Sequence, residues 1–188
     1  MKQEILDLIS QTDIQCRLYG AILFTEAHPY VVKTLKDDEF WNALDELSGS
    51  SWVIFATRLF KGSWEPPALS PKSRGFMHPV WKEPAANNDL LECFEIKDST
   101  RPYFVIFGFN DEQLFYATHP IAGESANAVY QSLEEVVRTV SRELEIRCDA
   151  APLDLYKALN LRLRMLRAKD FLKRAFQWVQ NFRGVTGV

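Results

Sequence analysis

The sequence predicts an α/β protein with a mixed sheet and an additional C-terminal helix. Three observations lead to this fold class: a strand–helix–strand order over residues 16–60, two strands joined by a short turn over residues 101–121, and an amphipathic helix directly after them. The first unit predicts two parallel strands joined by a right-handed crossover, and the second adds antiparallel strands. Helices are then expected to cover the sheet, as in a sandwich.

Each predicted strand is an apolar run. The segments CRLYGAILFTE (16–26) and SWVIFATRLF (51–60) are so rich in apolar side chains that both are expected in the interior of the sheet. The segments 101–109 and 112–121 flank Asn110-Asp111, a pair that is typical of hairpin turns. The segment CFEIKD (93–98) allows one further short strand.

Helices are predicted from apolar spacing and from their ends. Residues 1–12 have the spacing of a short leading helix. Residues 37–49 begin with acidic side chains and finish at Gly49, which suits a helix terminator. A longer helix begins at Ser125, a residue type that caps helices. The C-terminal segment predicts one long helix, or two that join near Asn160.

Residues 61–92 are predicted to form a long loop, since they hold five of the nine prolines and no sustained apolar period. We call this segment the aromatic loop because it contains Trp64 and Trp81. Loops on a rigid sheet often carry binding residues, so the aromatic loop is a predicted contact surface.

The order of elements over residues 16–146 resembles the thioredoxin-like fold, and Arg101-Pro102 stands just ahead of a hairpin strand, where that fold places a cis-proline. The resemblance is one of topology. The C-x-x-C that the family carries after its second strand is absent, because the chain runs into KGSWEPP there. Thiol–disulfide exchange is therefore not implied.

The charge divides the chain into two predicted units. Residues 151–188 hold eight Lys and Arg against two Asp and Glu, a net charge of +6, which leaves residues 1–150 with fourteen against twenty-three, a net of −9. We expect an acidic α/β domain over residues 1–150 and a basic amphipathic helical segment over residues 151–188. Such asymmetry suggests an electrostatic partner.

Several classes of protein are not indicated. No apolar run approaches the roughly 18 residues of a membrane span, and the acidic N-terminal residues do not resemble a signal peptide, so a cytoplasmic protein is expected. The three cysteines are far apart and form no C-x-x-C, which predicts reduced thiols. No cofactor motif, metal motif or catalytic motif occurs, so we expect no cofactor and no metal, and a non-catalytic protein is favoured over an enzyme.

All three histidines precede a proline: His28, His78 and His119. They are widely separated, and none has a second metal ligand nearby in the sequence, which favours an incidental role. His119 is the best candidate for chemistry, because it ends a predicted strand just before a helix N-terminus. The alternative function is therefore an enzyme of unknown reaction with a site near His119, His78 and Arg101.

The C-terminal segment carries an apolar stripe at helical spacing and a set of basic side chains. The stripe contains Leu161, Met165, Ala168, Leu172, Phe176 and Val179, and the basic set includes Arg164, Arg167, Lys173 and Arg174. Three interpretations are open: the helix packs on its own domain, it docks another protein chain, or it lies on an anionic membrane or nucleic acid. The leading hypothesis is a non-catalytic protein-interaction module that contacts a partner chain, in a hetero- or homo-oligomer, through this helix and the aromatic loop.

Overall fold

The structure is a computed structural model that describes residues 18–25, 27–49, 52–57, 77–80, 90–110 and 113–186, with the backbone alone at 57, 77–80, 110, 170 and 173–186. The described strands are β1 (Tyr19–Leu23), β2 (Val53–Thr57), β3 (Met77–Val80), β4 (Tyr103–Asn110) and β5 (Gln113–Pro120). The main described helices are α1 (Pro29–Lys36), α2 (Asp38–Ser48), α3 (Ala126–Ile146) and α4 (Pro152–Thr186).

The strands form one mixed sheet in the order β3-β2-β1-β4-β5. β1 and β3 lie parallel to β2, whereas β4 is antiparallel to both β1 and β5. The parallel pair β1 and β2 and the hairpin β4 and β5 confirm the predicted α/β fold class, and α4 confirms the C-terminal helix. This arrangement brings the ends of β1, β2, β3 and β5 and the start of β4 to one edge of the sheet.

The sheet is covered on both faces. One face packs against all four helices through a cluster that includes Ile54, Phe104, Val136 and Leu159. The other face packs against a helical turn at residues 90–93 through Phe55, Phe94 and Phe107. Both faces of the central strands are therefore apolar, which explains why the strand sequences show continuous apolar runs instead of alternation.

A close approach inside the sheet requires glycine at position 20. A Cβ atom built on Gly20 would lie 2.8 Å from the ring of Trp52 and 3.0 Å from that of Phe104. The Trp52 ring cannot move freely, because it is fully buried and its Nε1 donates to Ser141 Oγ at 3.1 Å. The β1 backbone thus packs directly on an anchored indole.

We expect Gly20→Ala to lower the free energy of unfolding by about 1–3 kcal/mol, since the extra methyl group overpacks this contact. Gly123→Ala is the matched control, because a Cβ atom there meets Pro102 only at 3.7 Å. Urea unfolding of both variants checks this expectation. Equal stability of the two variants would show that the Trp52 ring can move and make room for the added methyl group.

The structure confirms several predictions about where helices begin and end. Gly49 has a φ of 63° at the C-terminal cap of α2, a left-handed conformation that glycine adopts easily. Ser125 caps α3 through its Oγ, which accepts the Ala128 N–H at 3.1 Å. The C-terminal segment is one continuous helix through Asn160. The predicted leading helix, residues 1–12, lies outside the described residues.

Helix α1 was not predicted. Pro29 occupies the start of α1, where proline's fixed φ and missing N–H are tolerated. Residues 93–98 are not a strand: a helical turn closes there with hydrogen bonds from Phe94 N to Leu90 O and from Ile96 N to Leu91 O. Both corrections have the same origin, since short apolar segments do not distinguish helix from strand.

The loop prediction for residues 61–92 is wrong at two places. Strand β3 pairs with β2 over Met77–Val80, and residues 90–92 belong to the helical turn. The strand tolerates Pro79 because β3 is an edge strand of the described sheet, where one side of the backbone needs no ladder hydrogen bonds. The cis-proline implied at Pro102 is also absent, since the described residues contain no cis peptide bond.

Candidate functional site

Helix α4 has two apolar faces. Its inner face consists of Leu155, Leu159 and Leu163, which are fully buried in the cluster between the helices and the sheet. Its outward face consists of Leu161, Met165, Ala168 and Leu172, which recur at helical spacing and are exposed. The predicted stripe is thus the outward face, and a different set of leucines holds the helix on the protein.

Polar contacts also hold the first part of α4 in place. Tyr156 donates its hydroxyl to Tyr116 O of β5 at 2.9 Å. Arg162 Nε bonds the buried carboxylate of Glu143 on α3 at 2.9 Å, and Arg147 bonds the same carboxylate at 3.1 Å. None of these contacts uses a residue of the outward face of α4.

The exposure of the outward face is large for apolar side chains. Leu161 is 61% exposed, Met165 56% and Leu172 66%. The neighbouring Phe171 is 71% exposed. In the described part of the chain, exposed large apolar side chains are therefore concentrated on this helix. Contiguous exposed apolar patches of this kind mark interaction sites in soluble proteins.

The border of the outward face is basic. On one side, Arg162 and Lys169 are paired with carboxylates of α3, Lys169 with Glu135 at 2.8 Å. On the other side, Arg164 is exposed and has no ion pair among the residues that the structure describes. The side chains of Lys173, Arg174 and Phe176 lie outside the described residues, as do Trp64 and Trp81.

The histidine site of the alternative function is not assembled. His78 lies on β3 and His119 on β5, and three strands separate them. At roughly 4.8 Å per strand spacing, their backbones are about 19 Å apart. Arg101 lies close to the end of β5, but His119 is buried and faces the helix-covered core beside Phe104. The three residues therefore share no cleft.

His28, which the sequence analysis ranked below His119, does lie in a cleft. The cleft is formed by the chain after β1, the chain before β4, the chain after β5, and the sides of α3 and α4. His28 Nδ1 accepts the Thr25 N–H at 2.9 Å, so Nε2 carries the ring proton. The sequence signal was the position of His28 just beyond the carboxyl end of a buried strand, where ligands bind in α/β sheets.

Arg101 and Arg167 line the same cleft. Asp98 lies 3.7 Å from Arg101, and its carboxylate accepts the N–H and hydroxyl of Thr100. These hydrogen bonds hold the pKa of Asp98 below its usual range, with a smaller contribution from Arg101. Asp98 is thus charged near neutral pH, and its carboxylate already accepts hydrogen bonds from Thr100. Its contact with Arg101 is long, so the Arg101 guanidinium can still bind another anion.

The described residues contain no group of three or more His, Cys, Asp and Glu side chains that is arranged to hold a metal ion. No helix in the described part of the chain combines the length and the apolar character needed to cross a membrane.

Comparison of the chain with protein-family models, with curated proteins and with solved structures gives no match. The resemblance to the thioredoxin-like fold therefore stays a prediction.

Proposed function

We propose that the protein is a non-catalytic interaction module that acts within a protein assembly and contacts its partner through the outward face of α4. The observation that supports this most is the exposure of Leu161, Met165 and Leu172 on one face of a helix whose other face is already buried. The helix does not need these side chains for its own attachment. Binding of a partner chain would remove them from water, which is favourable at about 25 cal/mol per Å² of apolar area.

The partner is a protein chain whose apolar contact surface is bordered by Asp and Glu. This follows from charge complementarity, because basic side chains border the outward face on both sides and Arg164 has no carboxylate partner in the described residues. A second copy of the chain meets this description in part, since residues 1–150 carry a net charge of −9. The aromatic loop with Trp64 and Trp81 forms the second contact in this proposal, and the assembly is placed in the cytoplasm.

Site-specific photo-crosslinking tests this proposal. A photoreactive residue replaces Met165 on the outward face or, as a control, Ile146, an exposed apolar residue at the end of α3. Each variant is expressed at native level in the source cells and irradiated. We expect a protein of defined mass to be captured from position 165 and not from position 146.

The identity of the captured molecule separates the three interpretations of the helix. A crosslinked dimer of the chain identifies a second copy as the partner. Equal capture from positions 165 and 146, or capture of lipid or nucleic acid from position 165, would contradict the proposal.

A further inference from the structure

A cleft of about 900 Å³ opens at the edge of the sheet where β1 and β5 end and β4 begins. Residues 27–30, 100–102 and 120–124 form its walls, together with α3 and the side chains of Arg167 and Phe171 from α4. Its volume is in the range of sites that hold small organic molecules, roughly 300–1,000 Å³. The cleft is separate from the outward face of α4 and plays no part in the proposed partner contact.

The walls of the cleft contain hydrogen-bond donors that have few acceptors among the described residues. Arg167 has no ion pair and no hydrogen bond among the residues that the structure describes. Within the described ranges, the one ion pair of Arg101 is the long contact with Asp98 at 3.7 Å. His28 is 7% exposed, and its buried Nε2 has no hydrogen-bond partner in the described part of the chain. A buried donor without a partner is unfavourable for the folded protein.

Two carboxylates, Glu124 and Glu135, also line the cleft. Glu135 accepts a hydrogen bond from Lys169 at 2.8 Å, so its charge is balanced within the protein. Glu124 is exposed, near the N-terminus of α3. The positive charges of Arg101 and Arg167 come from different parts of the chain, one before β4 and one on α4. Only the folded arrangement, with α4 attached to α3, places them in one cleft.

The same cleft offers apolar surface. Tyr30, Ile121 and Phe171 line it, together with three prolines: Pro29 at the start of α1, Pro102 just before β4 and Pro120 at the end of β5. Phe171 is exposed at α4 and would be partly covered by a molecule in the cleft. An inorganic ion would leave this surface unused, whereas an organic molecule with a ring or hydrocarbon group would cover it.

We propose that the cleft binds a small organic anion, a carboxylate or phosphate ester, whose charged group is contacted by Arg101 and Arg167 and whose apolar group covers Tyr30 and Phe171. Guanidinium groups bind carboxylate and phosphate oxygens through paired, charge-assisted hydrogen bonds. The site is a binding site, and no bond-making step is assigned to it.

Phenyl phosphate and benzoate are suitable probes, because each joins an anion to a ring. Their dissociation constants for the full chain are measured by calorimetry, beside inorganic phosphate and phenol, which lack the ring or the charge. We expect at least one of the two aromatic anions to bind about tenfold more tightly than inorganic phosphate and phenol. The tighter of the two shows whether the cleft prefers a phosphate ester or a carboxylate.

Single substitutions locate the binding. Arg101→Gln and Arg167→Gln are each expected to weaken binding of the preferred probe about tenfold. Arg164→Gln is the matched control, since it removes the same charge from α4 at a position that does not line the cleft. It should change the dissociation constant by less than about twofold. The ring nitrogen signals of His28, followed by NMR in the wild type, should shift on addition of the probe.

Two results would overturn the proposal. Binding of both aromatic anions no tighter than that of inorganic phosphate would exclude an organic anion. Equal losses in the Arg101, Arg167 and Arg164 variants would show that the probe responds to overall charge and not to the cleft. The proposed partner contact is tested independently, because the Arg164 variant and the outward-face variants leave the cleft intact.

Discussion

Replacing Leu159 by Asp is expected to unfold the protein, whereas the same change at Leu161 leaves it folded. Leu159 is fully buried in the inner face of α4, against the sheet and α3. Truncating such a leucine costs about 2–5 kcal/mol, and a buried carboxylate adds a desolvation cost. The free energy of unfolding of a whole domain is only about 5–15 kcal/mol, so the cost of this one substitution approaches the total.

Leu161 is the matched control for Leu159, two positions further along the same helix. It is 61% exposed, so Leu161→Asp should cost less than about 1 kcal/mol, mostly through helix propensity. Circular dichroism and urea unfolding measure both variants. If Leu161→Asp unfolded the protein as Leu159→Asp does, the assignment of inner and outward faces of α4 would be wrong.

The double substitution Leu161→Asp and Met165→Asp should weaken partner binding by about a hundredfold or more, with little effect on stability. Two large apolar side chains near the centre of an interface each contribute enough to account for such a loss. Binding is measured by calorimetry against the purified partner that is captured from position 165. The unfolding curve of the double variant must first match that of the wild type.

Ile146→Asp is the control for this experiment, because Ile146 is an equally exposed apolar residue on α3 and lies outside the outward face. It should bind the partner as the wild type does. Added salt should weaken wild-type binding only modestly, since the apolar contact is not screened. A double variant that keeps full affinity would refute the role of the outward face, and steep salt dependence would favour a mainly electrostatic contact.

Most of the sheet could be predicted because burial on both faces leaves a strong signal. The runs at β1, β2 and β4 are almost entirely apolar, as expected of interior strands, whereas β5 lies at an edge of the described sheet and was predicted from the turn pair Asn110-Asp111. β3 gave no such signal, since its four residues include Pro79 and stand among further prolines. Its pairing with β2 is a tertiary contact, and local sequence does not encode it.

The two faces of α4 show the limit of periodicity. Leucines at 155, 159 and 163 and apolar residues at 161, 165 and 172 both follow helical spacing. Only the second of these stripes was identified from the sequence, and periodicity alone does not decide which stripe meets the sheet. That choice depends on how α3 and β5 present Val136, Leu133 and Ala117 to the helix, which is a property of the folded core.

The candidate cleft was missed for a similar reason. His28, Arg101 and Arg167 are far apart in the chain, and none belongs to a recognisable motif. His28 and Arg101 line the same cleft because β1 and β4 are antiparallel neighbours, with Leu23 opposite Tyr103. Arg167 joins them only because α4 is attached to α3. His119 looked more promising in sequence, yet it faces the core.

The oxidation rate of Met165 in the native assembly tests the central claim most directly. An exposed thioether is converted to the sulfoxide by dilute peroxide, and a partner that covers it slows this reaction. The rate is followed by mass spectrometry in the purified protein and in a non-denaturing extract of the source cells, in which complexes stay assembled. The urea-unfolded chain is the reference for full exposure. We predict fast oxidation in the purified protein, where Met165 is 56% exposed, and protection in the extract. Equal rates in the two samples would contradict the account, because the outward face of α4 would then be uncovered where the protein works.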